Sequence, residues 1–197
     1  MGKRHAINSI SLREKYPEYY QDIFSSCQVV VSTADTFFWA GEFARFFGGL
    51  TIMQKLPTKN LVGLEIIDQK KICFSEKLLG FNPSTQTFNN ITFDPAKEKR
   101  LLSFLTKYWP TLNTGQEIPG FKIHILSESH CGGGLGTTGV YLACLALCIH
   151  LLAKKITHEE IEKWSTTKVS DLLNKDEYQS FRDVFRFAWR LTAVARG

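Results

Sequence analysis

The chain has 197 residues, of which 44% are hydrophobic and 15 are Phe, and its formal net charge is +5. This length suits one domain with a proper core, and the composition excludes a disordered chain. The Lys and Arg residues are scattered rather than clustered, so the charge does not favour a nucleic-acid partner. We therefore take residues 1–197 as a single domain.

The cysteines and the apolar runs indicate the compartment. Five cysteines at irregular spacing, together with a first segment that lacks an apolar signal core, predict a reducing, cytoplasmic environment. Cys144 and Cys148 have no second Cys/His pair to complete a metal site, so they are interpreted as buried thiols. The longest apolar run, Val140–Ala153, is too short to span a bilayer, and we expect no membrane partner.

The first part of the chain predicts strands, because apolar and β-branched residues cluster in three runs: Cys27–Gly41, Gly48–Pro57 and Leu61–Ile67. Thr33–Asp35 predicts a turn that would divide the first run into two strands, although one continuous strand is the alternative. Lys70–Glu76 is predicted to pair with the third run across Asp68–Gln69.

Helices dominate the second half. Asp94 is placed as the N-cap of a helix with Pro95 at its first position. Phe121–Ser129 alternates as a strand does. A nearly all-apolar helix is predicted from about Thr138 to Lys155, and Thr157 with Glu160 forms the capping-box pattern of the next helix.

The last predicted helix, about Glu177–Ala195, has an apolar arc wider than half its circumference. Arg182, Arg186 and Arg190 occupy the remaining face at four-residue spacing. A surface helix needs a narrower apolar stripe. We expect a dimer partner or a further C-terminal part to cover its flanks; the alternative is an unusually aromatic end helix.

A glycine-rich segment precedes the apolar helix: Gly132, Gly133, Gly134, Leu135, Gly136, Thr137, Thr138 and Gly139. Glycines allow backbone N–H groups to approach phosphates closely, a following helix adds its N-terminal dipole, and Thr hydroxyls can coordinate Mg²⁺. The Walker pattern fails because no Lys follows these glycines. The dinucleotide pattern G-x-G-x-x-G is matched literally, but no strand directly precedes it and no acidic residue ends a second strand.

The segment "HCGGGLGTTG" resembles the second motif of the GHMP kinases (galactokinase, homoserine kinase, mevalonate kinase and phosphomevalonate kinase), P-x-G-x-G-L-G-S-S-A. The stretch "TADTFFWAGEFARFFGGLTI" is similar to their first motif, with Gly41, Glu42, Gly48 and Gly49 in register. The two motifs occur in the family's order, about ninety residues apart. The chain as a whole resembles the family's N-terminal, ATP-binding domain, which implies truncation before the C-terminal domain.

The resemblance implies an α+β fold: a mixed sheet with helices packed on one side, of the ribosomal-protein-like type with a left-handed βαβ crossover. It implies that residues 132–138 wrap the phosphates of ATP, that Thr138 lies at Mg²⁺, and that Glu42 serves the catalytic site. The implied activity is phosphoryl transfer from ATP to a hydroxyl of a sugar-like small molecule.

Departures from the family pattern keep alternatives open. Thr36, Phe43 and Arg45 stand where the family has a basic residue, a His and the sugar-contacting Asp of galactokinases. Arg45, Lys55 or Lys59 are candidates for the missing positive charge. The family's catalytic base is expected beyond Gly197. A non-catalytic nucleotide-binding or regulatory module is the first alternative, and a dinucleotide-binding oxidoreductase fragment is the second.

Overall fold

The computed structural model describes residues 11–40, 52–112, 119–129 and 137–197. In these ranges five strands form one sheet: β1 (Val29–Ala40), β2 (Ile52–Ile67), β3 (Ile72–Asn82), β4 (Thr87–Asn90) and β5 (Gly120–Ser127). The helices are α1 (Leu12–Lys15), α2 (Pro17–Ser26), α3 (Pro95–Leu112), α4 (Thr137–Leu152), α5 (His158–Thr166), α6 (Val169–Asn174) and α7 (Gln179–Arg196), with a 3₁₀ turn at Asp176–Tyr178.

The strands are ordered β1-β2-β5-β3-β4. Three of the four pairings are antiparallel, and β3 runs parallel to β5. The predicted α+β class with a mixed sheet is therefore confirmed. Because β1 and β5 are each antiparallel to β2, they run in the same direction and their carboxyl ends point to the same edge of the sheet.

The main core lies between one face of this sheet and α3, α4 and α7. Phe121, Ile123 and Ile125 of β5 alternate onto this face and are at most 4% exposed. The period of two was predicted for this strand, and each such buried side chain contributes about 1.5–3 kcal/mol. The predicted layer of helices on one side is thus present, with α4 at its centre.

Helix α2 lies on the opposite face, which the sequence analysis left uncovered. Tyr20 and Ile23 pack there against Leu61, Phe88 and Leu126. The approach is close at Gly63, where an added Cβ would lie 2.6 Å from the Sγ of Cys27 and 3.2 Å from Ile23 Cγ1. Glycine is required at this strand position because the end of α2 fills the space of a side chain.

The first predicted turn is an irregularity within one strand. β1 continues through Thr33–Asp35, and its register with β2 shifts between the pairs Ala34–Lys59 and Thr36–Lys55. Pro57 falls opposite this shift, where the ladder is broken and a missing N–H is tolerated. The two runs predicted around Pro57 therefore form one strand, β2; residues 48–51 lie outside the described ranges.

The predicted pairing of Lys70–Glu76 with β2 is wrong, because β5 lies between β2 and β3. The connection after β2 passes the start of β5, where Phe121 N donates to Lys71 O at 3.0 Å. A Cβ at Gly120 would lie 1.9 Å from Gln69 O, so only glycine fits there. The sequence predicts a short hairpin between β2 and β3, but β5, which comes much later in the chain, lies between them.

Local helix signals are confirmed. Asp94 Oδ1 accepts from the N–H groups of Ala96 and Lys97 at 2.8 and 3.0 Å, ahead of Pro95. Thr157 and Glu160 form the reciprocal capping box of α5. These caps satisfy N–H groups that a helix start leaves without partners.

Helix α7 buries only part of its apolar arc. Val184, Phe187 and Leu191 face the core, whereas Phe185 and Trp189 are 53% and 69% exposed. The predicted excess of apolar surface on this helix is therefore observed. In the described ranges no helix is long and apolar enough to cross a membrane.

Candidate functional site

The structure describes only part of the predicted site. Glu42 and the run Gly132, Gly133, Gly134, Leu135 and Gly136 lie outside the described residues. Thr137 and Thr138 are the first two residues of α4, one position earlier than the predicted helix start. The position of the two threonines at the beginning of a helix agrees with the sequence prediction.

The first motif, Thr33–Ile52, begins within β1, and the glycine-rich motif follows β5; these two strands point to one edge of the sheet. Residues 41–51 follow β1, and residues 130–136 follow β5, which runs in the same direction. The ends are not level: β5 ends where Ser127 pairs with Asn60, whereas β2 extends back to Ile52. At a rise of about 3.3 Å per residue, the β1–β2 pair extends about 25 Å past β5.

A buried polar network holds the three strands together where β5 ends. Asp35 and Asn60 are fully buried, and Asn60 Nδ2 donates to Asp35 Oδ1 at 2.5 Å. Thr58 Oγ1 donates to the other carboxylate oxygen at 2.9 Å. Ser127 Oγ donates to Asn60 Oδ1 at 2.5 Å. Strands β1, β2 and β5 are thus linked by side chains as well as by their ladders.

The network continues towards the glycine-rich segment. Ser129 is 5% exposed, and its backbone N–H donates to Ser127 Oγ at 3.3 Å while its own Oγ lies 3.1 Å from the same oxygen. Buried polar groups are stable only when they are hydrogen-bonded, and a satisfied network fixes one conformation. The backbone is therefore held in place immediately before residue 130.

Glu128 provides a second anchor at the same point. Its Oε1 accepts from the Tyr20 hydroxyl at 2.7 Å and its Oε2 accepts from Lys59 N at 2.8 Å. Its own N–H donates to Lys59 O at 2.8 Å. Burial, together with this carboxylate, raises the pKa of Tyr20 above its ordinary value. The anchor connects the end of β5 to α2 and β2.

The start of α4 has the general features of a helix N-terminus. A helix N-terminus presents unpaired N–H groups and the positive end of the helix dipole. The first turn of α4 carries no acidic side chain that would compete for these groups. In the described ranges no cluster of three His, Cys, Asp or Glu side chains is placed to hold a metal ion.

Other residues singled out by the sequence fall elsewhere. Lys55 and Lys59 are exposed on β2, in the part that extends beyond β5, and Arg45 lies outside the described residues. Cys144 and Cys148 are buried free thiols, as predicted, and burial raises the pKa of Cys144 to about 12. These two cysteines belong to the core.

Sequence reasoning missed Asp35, Asn60 and Ser127. Asp35 lies among Thr33 and Thr36, and Asn60 follows Thr58 and Lys59, so neither stands out from its polar neighbours in the sequence. A polar side chain inside a buried strand needs a partner. The partners lie 25 and 67 positions apart along the chain, however, so no local pattern identifies them.

No family model matches the sequence, and no curated protein matches it. Solved structures do resemble the fold. One is the mevalonate kinase of Methanococcus jannaschii, at 12% identity and a TM-score of 0.49, with 84% of this chain and 46% of that chain covered. Another is a mevalonate diphosphate decarboxylase from Legionella pneumophila, at 13% identity and a TM-score of 0.49, covering 84% and 47%.

A third is the phosphomevalonate kinase of Streptococcus pneumoniae, at 15% identity and a TM-score of 0.46, covering 84% of this chain and 41% of that chain. The chain thus spans less than half the length of each. Two of these three proteins are kinases. The set also contains a decarboxylase, and likeness at this level does not assign an activity.

Proposed function

We propose that the chain binds ATP–Mg²⁺ through residues 132–138 and acts, as part of a small-molecule kinase, in phosphoryl transfer to a hydroxyl of a sugar-like acceptor. The observation that carries the proposal is the position of the glycine-rich run. It joins the tightly anchored end of β5 to the first turn of the central helix α4.

This arrangement suits phosphate chemistry. The backbone before residue 130 is fixed by Ser127, Ser129 and Glu128, and the backbone after residue 136 belongs to a buried helix. A glycine-rich connection between two anchored ends allows its N–H groups to approach phosphate oxygens closely. The N-terminus of α4 adds a favourable field for the same charges.

The proposed roles of the residues are phosphate binding, Mg²⁺ coordination and orientation of the acceptor. The N–H groups of the glycine-rich run and of the first turn of α4 would neutralise and position the phosphates, which is most of what phosphoryl transfer requires from a protein. Thr138 would supply a hydroxyl to Mg²⁺, which neutralises charge on the phosphates when bound. Glu42 would orient the acceptor hydroxyl.

Calorimetric titration of the purified chain with ATP, with and without Mg²⁺, tests the binding step, and NAD serves as a competitor. We expect ATP to bind at millimolar concentration or below and to depend on Mg²⁺. Thr138→Ala should weaken Mg²⁺-dependent binding at least tenfold and leave the circular dichroism spectrum unchanged. Thr106→Ala, which removes an exposed hydroxyl from α3, is the matched control.

The outcomes separate the three functions. Binding of NAD in preference to ATP would favour the oxidoreductase alternative, and no binding of either would overturn both nucleotide interpretations. Transfer of phosphate from ATP to a panel of hexoses and polyols would support the kinase. ATP binding without transfer would favour the regulatory module, for which Thr36 in place of the family's basic residue is the supporting observation.

A further inference from the structure

A second concave site lies at the other end of α4. An open cavity of about 420 Å³ is lined by the carboxyl-terminal ends of α3 and α4, by the segment that follows α4 and by one side of α7. Cavities that bind small molecules span roughly 300–1,000 Å³, so this one is large enough for a compact organic ligand. It is remote from the glycine-rich segment, which meets α4 at its amino-terminal end.

The floor of the cavity is aromatic. Phe187 is 1% exposed and stacks on Tyr108, with ring centroids 4.2 Å apart at 18°. His150 meets Phe187 edge-on at 5.3 Å. Leu112 and Ile156 complete the apolar lining. Of these three rings only Tyr108 is partly exposed, so a flat ligand ring entering the cavity would pack against Tyr108.

His150 contributes an acceptor to this floor. Its Nδ1 donates to Ala146 O at 2.8 Å, which leaves Nε2 as the unprotonated nitrogen, and burial lowers the pKa of the ring. Nε2 has no hydrogen-bond partner among the described residues. No fully buried side-chain nitrogen or oxygen among the described residues lacks a partner, so Nε2 keeps a small exposed surface, and His150 is one of the residues that line the cavity.

The rim is cationic. Lys155, Arg186 and Arg190 line the cavity beside a single carboxylate, Asp183, which pairs with Arg186 at 3.4 Å. The side chains of Lys155 and Arg190 have no ionic or hydrogen-bond partner in the described ranges. The Ser180 hydroxyl at the edge donates to Glu160 Oε1 at 2.8 Å. Two uncompensated cations therefore border an aromatic floor.

We propose that this cavity binds a small aromatic anion, a planar ring that carries a phosphate or carboxylate group. The ring would lie against the partly exposed ring of Tyr108, which is stacked on the buried Phe187, and the anionic group would meet the charges of Lys155 and Arg190. Arg190 is one of the three arginines, Arg182, Arg186 and Arg190, that are spaced four residues apart on α7. On an ordinary surface helix such arginines would only be solvated. The proposal is independent of ATP binding at the glycine-rich segment.

Phenyl phosphate is the test ligand. Its binding is measured by calorimetry and by the NMR chemical shifts of the His150 ring. We expect saturable binding at about millimolar concentration or below, at least tenfold tighter than inorganic phosphate or phenol, the two halves of the probe. Lys155→Gln with Arg190→Gln should weaken binding at least tenfold. Lys107→Gln removes one exposed charge from α3 outside the cavity and should change nothing.

Several results would overturn the proposal. These are the absence of saturable binding, equal affinity for phosphate and phenyl phosphate, or equal weakening by Lys107→Gln, which would indicate general charge attraction. Retained affinity in Thr138→Ala separates this site from the proposed nucleotide site. Because the side chains of Lys155 and Arg190 form no hydrogen bond or ion pair with described residues, the double variant is expected to fold, and its melting temperature checks this.

Discussion

Replacing Asp35 by Ala tests whether the buried network fixes the end of β5. The substitution removes both acceptors at once and leaves two donors, Asn60 Nδ2 and Thr58 Oγ1, without partners. Asn60 is fully buried, so its amide bears the whole penalty of an unsatisfied group, about 1–3 kcal/mol. Thr58 is partly exposed and regains water, which adds roughly 1 kcal/mol.

The expected loss in the free energy of unfolding is therefore about 2–4 kcal/mol. Urea unfolding followed by tryptophan fluorescence measures it, and the midpoint should fall by roughly 1–2 M if the slope is about 2 kcal/mol/M. Asp35→Asn keeps the shape and one acceptor. Reorientation of the Asn60 amide can then restore most contacts, and we expect a loss of about 1 kcal/mol.

A double-mutant cycle provides the control. Asp35→Ala and Asn60→Ala should be non-additive by about 0.5–3 kcal/mol, because each removes the same hydrogen bond. Ser25→Ala, which deletes an exposed hydroxyl bond in α2, should change stability by less than about 0.5 kcal/mol. A loss below about 0.5 kcal/mol for Asp35→Ala, or strict additivity, would refute the network as a structural element.

Three further predictions concern single positions. Thr157→Ala removes the capping hydroxyl of α5 and should lower stability by about 1 kcal/mol in urea unfolding; no change would mean that the cap is replaced by water. Gly63→Ala should cost about 1–3 kcal/mol because its Cβ would meet Cys27, and the added change Cys27→Gly should recover part of this in the same assay. Cys144 and Cys148 are buried and their pKa values are raised. Mass spectrometry at about pH 8 should therefore find them unalkylated by iodoacetamide until urea unfolds the chain. Rapid modification of the native protein would contradict their burial.

The predictions that held depend on local chemistry. The N-cap at Asp94 and the capping box at Thr157 are formed by residues within three positions of each other, so the sequence contains both partners. The alternation of side chains along β5 likewise depends only on neighbouring residues, because successive residues of a strand point to opposite faces of the sheet. The start of α4, predicted at about Thr138 and observed at Thr137, was inferred from a glycine run next to an apolar run, which is again a local pattern.

The predictions that failed depend on distant partners. Nothing near Lys70–Glu76 reveals that β5 enters between β2 and β3, since that order is set by packing across the sheet. The placement of Asp35 in a turn followed its usual preference for turns. In the structure its side chain is instead satisfied within the sheet by Thr58 and Asn60, and Asn60 in turn holds Ser127 of a third strand.

The two proposed binding sites lie at opposite ends of one rigid element. α4 has 16 residues, which at about 1.5 Å per residue separates its ends by roughly 24 Å. Helix α4 packs against β1, β2 and α7, and its buried side chains leave little room to move. A ligand at one end changes no contact at the other, and a two-state element would be needed to couple them. The affinity for ATP should therefore be the same, within about twofold, with and without saturating phenyl phosphate. A change above tenfold would mean that α4 has two positions and that each ligand binds preferentially to one of them.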